Sequence, residues 1–301
     1  MQLNQATFRA LDVLFKEAIA LRQAEVPTWH LSWFQDIPVS GSKAFAMSFI
    51  AALSQVTEWI TDRTKQNLKR QLIQRVLRSW EDSVEVDKDD IVYDRLGQVK
   101  PAIAGIADDK PLHQIELLLD LIHNGHGAGA WYQGYDLVPF FSASHPIDTQ
   151  YVASGLQQNY WSDLDLTAAN INTVDAAMRA LKGENGKQLG ITPDELYYTP
   201  DLYGTAADLI LKNPLAGGEG NILFKKYELQ KLEQSDETNI WGLRDSTKAA
   251  KVCGWAHAAE TVLRWLQLPG EMHKQGLYGN DYDAELIPIW WQLVSKCVHT
   301  P

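Results

Sequence analysis

Hydrophobic residues recur at helical spacing near the start of the chain. Four of them lie three or four residues apart, at Leu11, Phe15, Ala18 and Leu21. This spacing predicts an amphipathic helix, because residues three and four apart share one helix face. The connector that follows, "VPTWHLSWFQDIP", is rich in aromatic residues. Its Trp29, Trp33 and Phe34 predict an arm that packs on another surface.

The pattern of residues 68–80 fits two structures. Leu68, Leu72, Val76 and Trp80 lie four residues apart, as on one face of a helix, but residues 72–77 also alternate as in paired strands. The following "DSVEVD" alternates like a half-buried strand. We expect a short helix that leads into a two-stranded excursion. Asp89 and Asp90 are then expected to cap a short helix that ends near Gly97.

A long helix is predicted over residues 101–124. Its apolar stripe consists of Leu112, Ile115, Leu119 and Ile122. Pro101 suits a first helical turn, and Asn124 with the glycine after it is typical of a helix end. Such a helix is about 36 Å long at about 1.5 Å per residue, and Pro111 is expected to kink it.

A compact α/β unit is predicted over residues 164–240. Thr167 is expected to cap a helix whose buried face is Ile171, Val174, Met178 and Leu181. The strand "ELYYT", a helix that Asp201 opens and a strand in "KYELQKLEQ" follow. The order helix, strand, helix, strand is typical of an α/β unit. Further strand-like runs are "NIWGLRDS", "KVCGWAHAAETVLRWL" and "AELIPIWWQLVSKCV".

Composition argues against several classes of protein. The chain has 301 residues and 45% hydrophobic content, enough for one large or two medium domains. An apolar run of about 18 residues and a cleaved leader pattern are both missing, so we expect a soluble protein and no membrane partner. Cys253 and Cys297 have no neighbouring ligand pattern, which favours a reducing compartment. The net charge of −11 argues against a free-standing nucleic-acid binder.

Charge is unevenly distributed along the chain. Residues 61–78 carry six basic side chains and one acid, a balance of +5, whereas residues 81–90 carry six acids and one lysine, a balance of −5. The two runs can be solvated faces that partly neutralise each other. Alternatively, opposite runs on different copies of the chain mate and steer head-to-tail association.

The candidate catalytic residues form no recognisable constellation. His123 and His126 are three residues apart in "HNGHG", but no third ligand is placed by the sequence, so we expect no metal and no cofactor. His145 has aromatic neighbours and no nucleophile motif, which favours a packed, hydrogen-bonded histidine over a general base. The glycine-rich "AGGEGN" lacks the lysine and the helix of a phosphate cradle. We expect no enzyme; an α/β enzyme that uses these three histidines is the alternative.

Six segments, taken in order, carry a resemblance to a known family. They are "TEWITDR" (57–63), "EVDKDDIVYDRLG" (85–97), "YDLVPFFSASHP" (135–146), "LTAANINTVDAAMRALKGENGKQLGITPDELYYTPDLYGTAADLI" (166–210), "NIWGLRDSTKAAK" (239–251) and "YGNDYDAELIPIWWQLV". The series resembles the Mu-like major head subunit family, the major capsid proteins of tailed bacteriophages. Residues 64–80 are more basic and aliphatic than the family pattern, and residues 255–265 match it poorly.

The resemblance implies an α+β protein with the Hong Kong ninety-seven type of phage capsid fold. In such proteins an N-terminal arm and an extended loop reach onto neighbouring subunits, and a peripheral domain with a spine helix adjoins an axial domain. Carried onto this sequence, the parts are the arm (1–40), the extended loop (52–87), the peripheral domain (41–51, 88–163 and 241–301, with the spine helix at about 101–124) and the axial domain (164–240).

The resemblance also implies partners. Many copies of the chain would form hexamers and pentamers that build an icosahedral shell, assembled in the host cytoplasm and present in the virion. The other partners would be the portal, decoration, scaffolding or protease proteins of the same phage, and packaged double-stranded DNA held non-specifically at the inner surface. A different phage structural protein, such as a tail protein, is the alternative.

Three groups of residues are expected to serve this assembly. The basic run would contact an adjacent subunit through Arg63, Lys65, Lys69 and Arg70, with 81–90 as the acidic acceptor. Trp29, Trp33 and Phe34 would anchor the arm between subunits. The structural markers are Phe140 and Phe141, expected on opposite sides of an extended segment, and His145, expected to pin the backbone.

Overall fold

We describe the fold from a computed structural model, which covers residues 5–23, 27–50, 70–93, 96–149, 155–213, 220–258, 264–269 and 275–299. Within these ranges the α-helices are α1 (Gln5–Gln23), α2 (Lys88–Val92), α3 (Leu96–Asn124), α4 (Ala168–Arg179) and α5 (Tyr203–Leu211). Short 3-10 helices cover Trp29–Trp33, Ala130–Tyr132, Pro200–Leu202 and Trp291–Leu293. None of the helices in these ranges combines the length and the apolar character needed to cross a membrane.

The strands of the described ranges form four sheets. They are β1 (Phe34–Pro38), β2 (Ala44–Ile50), β3 (Arg70–Val76), β4 (Arg78–Asp87), β5 (His145–Pro146), β6 (Leu156–Gln157), β7 (Tyr160–Trp161), β8 (Glu195–Tyr198), β9 (Glu228–Lys231), β10 (Ile240–Arg244), β11 (Cys253–His257), β12 (Arg264–Gln267), β13 (Gln275–Pro288) and β14 (Lys296–Val298).

One five-stranded sheet is built around β13, which pairs with β4 on one side and with β11 and β12 on the other. Strand β1 runs parallel to β11 at the edge. Helices α1 and α3 pack together over this sheet through a buried cluster of Leu11, Phe15, Ile19, Val86, Ile91, Val99, Ile103, Ile106 and Tyr278. The N-terminal helix therefore lies on its own chain.

The second five-stranded sheet has the order β7-β14-β10-β8-β9. Helix α4 packs against it with Ile171, Val174 and Met178 fully buried, as their spacing predicted. The Thr167 hydroxyl accepts a hydrogen bond from the Asn170 amide, which confirms the predicted cap. The predicted order of helix, strand, helix and strand is also confirmed, as α4, β8, α5 and β9.

This second sheet crosses the expected end of the axial domain at residue 240. Except for Ile240, strands β10 and β14 lie in the segment 241–301, which the sequence assigns to the peripheral domain. Both strands nevertheless pair within the sheet that holds β8 and β9. Strand β1 likewise joins the first sheet, although residues 1–40 were expected to form an arm. Strand pairing between distant segments has no local sequence signal, and the domain limits remain proposals.

Helix α3 starts earlier than the sequence predicted. It begins at Leu96, so Pro101 lies inside the helix rather than in its first turn, and the helix also continues through Pro111. A proline removes one backbone hydrogen bond, but buried Ile103, Ile106 and Ile115 hold the helix on both sides of the interruption. At about 1.5 Å per residue the 29-residue helix is about 44 Å long.

Three other local predictions need correction. Asp87, not Asp89 or Asp90, caps α2, and this helix ends at Val92. From residue 70 onward the ambiguous segment is strand, and the two-stranded excursion is β2 paired with β3. Leu21 in α1 is 77% exposed, because the buried stripe follows Leu11, Phe15 and Ile19 at a spacing of four.

Candidate assembly interface

The excursion is an antiparallel hairpin, β2–β3, whose two faces differ. Phe45 lies opposite Arg75 and Met47 opposite Ile73, and these side chains are buried or half-buried on the face toward the body. The other face presents the exposed pairs Ala44–Val76, Ala46–Gln74 and Ser48–Leu72. Because residues directly opposite each other share a face of a sheet, these three pairs form an uncharged patch on the outer face of the hairpin.

A polar cluster anchors one side of the hairpin base. The Lys43 Nζ donates to the Asp283 carboxylate at 2.7 Å and to the Ser79 hydroxyl at 2.5 Å. Ser79 donates to the same carboxylate at 2.7 Å. Hydrogen bonds from Lys43 and Ser79 lower the pKa of Asp283, so the carboxylate stays charged in neutral solution. The Leu77 amide, between β3 and β4, completes the attachment by donating to the Lys43 carbonyl at 2.9 Å.

Arg78 anchors the other side. Its Nε and Nη2 donate to the two carboxylate oxygens of Glu285 at 2.6 and 2.9 Å. Its guanidinium lies 4.8 Å from the Trp80 ring and 4.4 Å from the Trp131 ring, within cation–π range. The side chain of Glu285 is 2% exposed. Burial raises the pKa of Glu285, whereas the hydrogen bonds and the charge of Arg78 lower it. Arg78 therefore favours the charged form of this buried carboxylate.

Arg75 links the hairpin to the segment after α3. Its Nη2 donates to the Gln133 carbonyl at 2.8 Å. Burial lowers the pKa of Arg75, while Glu285 acts in the opposite direction. Arg75 and Arg78 belong to the basic run, yet both are held within their own chain. They therefore contribute little to any basic surface offered to another copy.

The predicted docking residues lie largely outside the described residues. Arg63, Lys65 and Lys69 are in the segment 51–69, and of Arg70 only the backbone is described, at the first position of β3. In the acidic run Glu81, Glu85 and Asp89 are exposed, whereas the Asp87 carboxylate accepts the Asp89 amide at the start of α2. The exposed acids of β4 remain available as acceptors, and the docking itself stays a prediction.

The aromatic residues of the connector are placed differently from the prediction. Trp33 is 1% exposed, packs edge-on against Tyr197 and lies under the Arg244 guanidinium. Phe34 is 9% exposed and contacts Trp255. Both residues belong to the core of their own chain, because the connector enters the first sheet as β1. Trp29 is half-buried, and its anchoring role remains a prediction.

Phe140 and Phe141 do not point to opposite surfaces. They are 0% and 1% exposed and meet edge to face with ring centres 5.1 Å apart, in the same core cluster. The chain turns here instead of running as an extended strand. The Phe140 amide donates to the Tyr132 carbonyl and the Phe141 amide to the Gly125 carbonyl.

His145 is fully buried in a polar network. Its Nδ1 lies 2.6 Å from the Asp136 carboxylate, its Nε2 lies 3.2 Å from the Asn159 side-chain oxygen, and its ring stacks on Trp291 at 3.8 Å. The Asn159 amide nitrogen donates in turn to the carbonyls of Phe140, Trp291 and Val294. Both imidazole nitrogens lie within hydrogen-bond distance of side-chain oxygens. His145 thus fixes side chains that hold the backbone.

His123 and His126 take part in a different cluster, at the end of α3. The Lys296 Nζ, buried in β14, donates to the His123 carbonyl at 2.6 Å and lies 3.2 Å from the His126 Nδ1. Burial lowers the pKa of Lys296 to about 8. The Ser235 hydroxyl lies 3.0 Å from the His123 Nε2. In the described part of the chain no three His, Cys, Asp or Glu side chains gather to hold a metal.

Sequence reasoning missed several residues of this region. Glu285 and Asp283 are separated from their basic partners by more than 200 positions, so no local pattern links them. Trp131 had a weak signal, as a tryptophan in the glycine-rich segment that follows a long helix.

Solved structures of phage shells share this fold. The procapsid of bacteriophage JBD30 is 17% identical, with a TM-score of 0.57 over 99% of this chain and 77% of that chain. The JBD30 capsid decorated with minor capsid protein trimers is 19% identical, with a TM-score of 0.54 over 68% and 90%. Mycobacterium phage Patience is 12% identical, with a TM-score of 0.50 over 97% and 88%. The fold is therefore the Hong Kong ninety-seven type of capsid fold.

The sequence gives the family directly. No curated protein sequence matches the chain. The model of the family described as Mu-like prophage major head subunit gpT matches residues 5–161 and 152–234, which is well over half of the sequence. The chain accordingly belongs to the Mu-like major head subunit family of tailed-phage capsid proteins.

Proposed function

We propose that this phage capsid protein is the major head subunit, whose copies form hexamers and pentamers and close into an icosahedral shell around double-stranded DNA. The observation that carries the proposal is the family match together with a capsid fold that extends over nearly the whole chain. Heterologous contacts between identical subunits generate such rings. The subunit acts by association, and its histidines serve the structure of the chain.

The proposed domains follow the described elements. The first sheet with α1 and α3 forms the peripheral domain, the hairpin β2–β3 is the base of the extended loop, and the second sheet with α4 and α5 forms the axial domain. The continuity of that sheet supports the inclusion of β7, β10 and β14 in the axial domain. The arm then shortens to residues before β1.

Contact between subunits is proposed to use the charge asymmetry. Arg63, Lys65, Lys69 and Arg70 of one copy would dock on the exposed acids of β4 in the next. Each exposed pair contributes only about 0 to 1 kcal/mol, but repetition around a shell sets the register of association. Portal, decoration, scaffolding or protease proteins and the packaged DNA complete the proposed partners; the decoration of the JBD30 capsid is the likeness that supports a decoration protein.

Electron microscopy of the expressed chain tests the proposal. Capsomer rings or uniform icosahedral shells are expected, tubes would favour a tail protein, and small oligomers with hydrolytic activity would favour an enzyme. The variant Lys69→Glu with Arg70→Glu is expected to stay folded and to lose shells. The added changes Glu81→Lys and Glu85→Lys should restore them, because they reverse the acceptor. Normal shells from the first variant would refute the docking contact.

A further inference from the structure

A tight turn in residues 134–138 has a leucine where glycine is usual. The Gly134 amide donates to the Val138 carbonyl at 3.0 Å, and the Leu137 amide donates to the Gly134 carbonyl at 3.2 Å. This is the pattern of a three-residue hairpin loop whose third residue takes the left-handed conformation. Leu137 is that residue, with φ of 59°. A leucine is strained in this conformation, whereas glycine and asparagine adopt it readily.

The side chain of Leu137 buries little surface against the described part of its own chain that could offset this strain. The residue is 75% exposed, so a large apolar side chain points into solvent. A lone exposed leucine is ordinary on a protein surface. At Leu137, however, the exposed side chain also sits on a strained backbone, and its burial does not compensate for that strain. The combination points to a contact outside the subunit.

Contacts of Asp136 hold the turn of residues 134–138 in place. The Asp136 carboxylate accepts the Val138 amide at 3.3 Å and pairs with His145 at 2.6 Å. The histidine is buried and stacked on Trp291. Leu137 is therefore held in one position before any partner arrives, which reduces the entropy that association must remove.

A groove of matching chemistry lies at the hairpin base. It has a volume of about 560 Å³ and is lined by Ala44, Phe45, Ala46, Val76, Ala130 and Trp131, among others. Trp131 is 46% exposed and Val76 57% exposed. Gln74 and Arg75 complete the lining, and the Arg75 guanidinium donates to the Gln133 carbonyl. The groove has ample room for one leucine side chain.

We infer that Leu137 of one subunit inserts into this groove on a second copy of the chain. A second copy is the favoured occupant because the chain has a net charge of −11, so two copies approach best where both surfaces lack acids. The projecting leucine and the groove meet that condition, and each lacks a cover within the described part of its own chain. The inference rests on the proposed function, since it assigns one contact of the shell.

Single-cysteine proteins test the contact. Leu137→Cys and Ala46→Cys are made in separate chains, one of them carrying a tag that changes its mass, and the two are mixed before assembly. The native Cys253 and Cys297 are fully buried, and burial raises the pKa of both thiols, so the new thiols are the reactive ones. Mild oxidation is expected to give a disulfide-linked dimer of mixed mass. Assembled mixtures that yield no mixed dimer would overturn the inference.

A second variant separates contact from folding. Leu137→Asn suits the left-handed backbone, so the melting temperature of the subunit should stay level or rise. The subunit concentration needed for assembly should rise about tenfold, because an apolar anchor is lost. Lys225→Asn is the matched control, at a residue with φ of 53° far along the chain, and should assemble normally. Unchanged assembly of Leu137→Asn would also overturn the inference.

Failure of the proposed function gives a different result. If the unaltered chain forms small oligomers but neither rings nor shells, the proposed function fails, and the mixed cross-link still decides whether Leu137 meets the groove. If the unaltered chain stays monomeric at high concentration, both are wrong.

Discussion

Removal of Arg78 is expected to make subunit stability strongly dependent on pH. The variant Arg78→Met keeps an unbranched side chain beside Trp80 and Trp131, but the carboxylate of Glu285 loses both donors that it has from Arg78. An uncompensated buried charge costs about 3 to 5 kcal/mol. The side chain of Arg78 is 34% exposed, so the lower end of this range applies at neutral pH.

Protonation of Glu285 limits the loss. Its ordinary pKa is 4.5, and protonation costs about 1.4 kcal/mol for each pH unit above that value. The part of the loss that comes from the unpaired charge therefore cannot exceed about 4 kcal/mol at pH 7.5 or about 1.4 kcal/mol at pH 5.5. Without Arg78 the pKa of folded Glu285 rises further above its unfolded value, so stability falls as pH rises through the folded pKa. The variant is expected to lose about 2 kcal/mol more at pH 7.5 than at pH 5.5.

Urea unfolding of the unassembled subunit, followed by circular dichroism at both pH values, measures this difference against the unaltered chain. The double variant Arg78→Met with Glu285→Gln is the control. It removes the titrating group, so its loss should be smaller and equal at the two pH values. A loss below about 1 kcal/mol at pH 7.5, or equal losses for the single variant at both pH values, would refute the reasoning.

Three further predictions concern two histidines and a buried lysine. Burial and Arg78 lower the pKa of His113 to about 4, so the unfolded chain binds the proton first and stability should fall from pH 6.5 to pH 4; His113→Gln should flatten this part of a melting-temperature profile. The pKa of Lys296 is lowered from 10.5 to about 8, so the unfolding free energy of the subunit should rise as the pH rises from 8 to 10.5. Lys296→Met should abolish that rise in urea titrations. His145→Ala should cost about 3 kcal/mol or more in unfolding free energy, because a stacked ring is lost and the buried Asp136 carboxylate loses its histidine partner; a loss below about 1 kcal/mol would contradict the network described.

Local signals predicted the elements within residues 164–240 well. Helix α4 has a cap at Thr167 and a stripe at a spacing of three or four residues, and both features depend only on neighbours in sequence. The ends of such elements are harder to predict from sequence. Helix α3 continues through Pro101, which was expected in its first turn, and through Pro111, which was expected to kink it. Packing on both sides of each proline decided the outcome.

Long-range pairing accounts for most of what sequence could not predict. The residues of β3 fit a helix or a strand equally well until β2 is known to lie beside them. Trp33 and Phe34 were predicted to be anchors between subunits because nothing nearby in sequence shows that β11 will take β1 as a parallel neighbour. The hairpin base depends in the same way on Asp283 and Glu285. Periodicity describes which face is apolar, and tertiary structure decides what covers it.

The position of β14 has a consequence for biosynthesis. Lys296–Val298 lies between β7 and β10 in the second sheet and is synthesised after every other described strand. Until it emerges from the ribosome, β7 is separated from the rest of the sheet, and both β7 and β10 present unpaired edges. The second sheet therefore closes after translation has passed this strand. A truncated chain that lacks β14 would leave the edges of β7 and β10 unpaired and open to pairing with other chains.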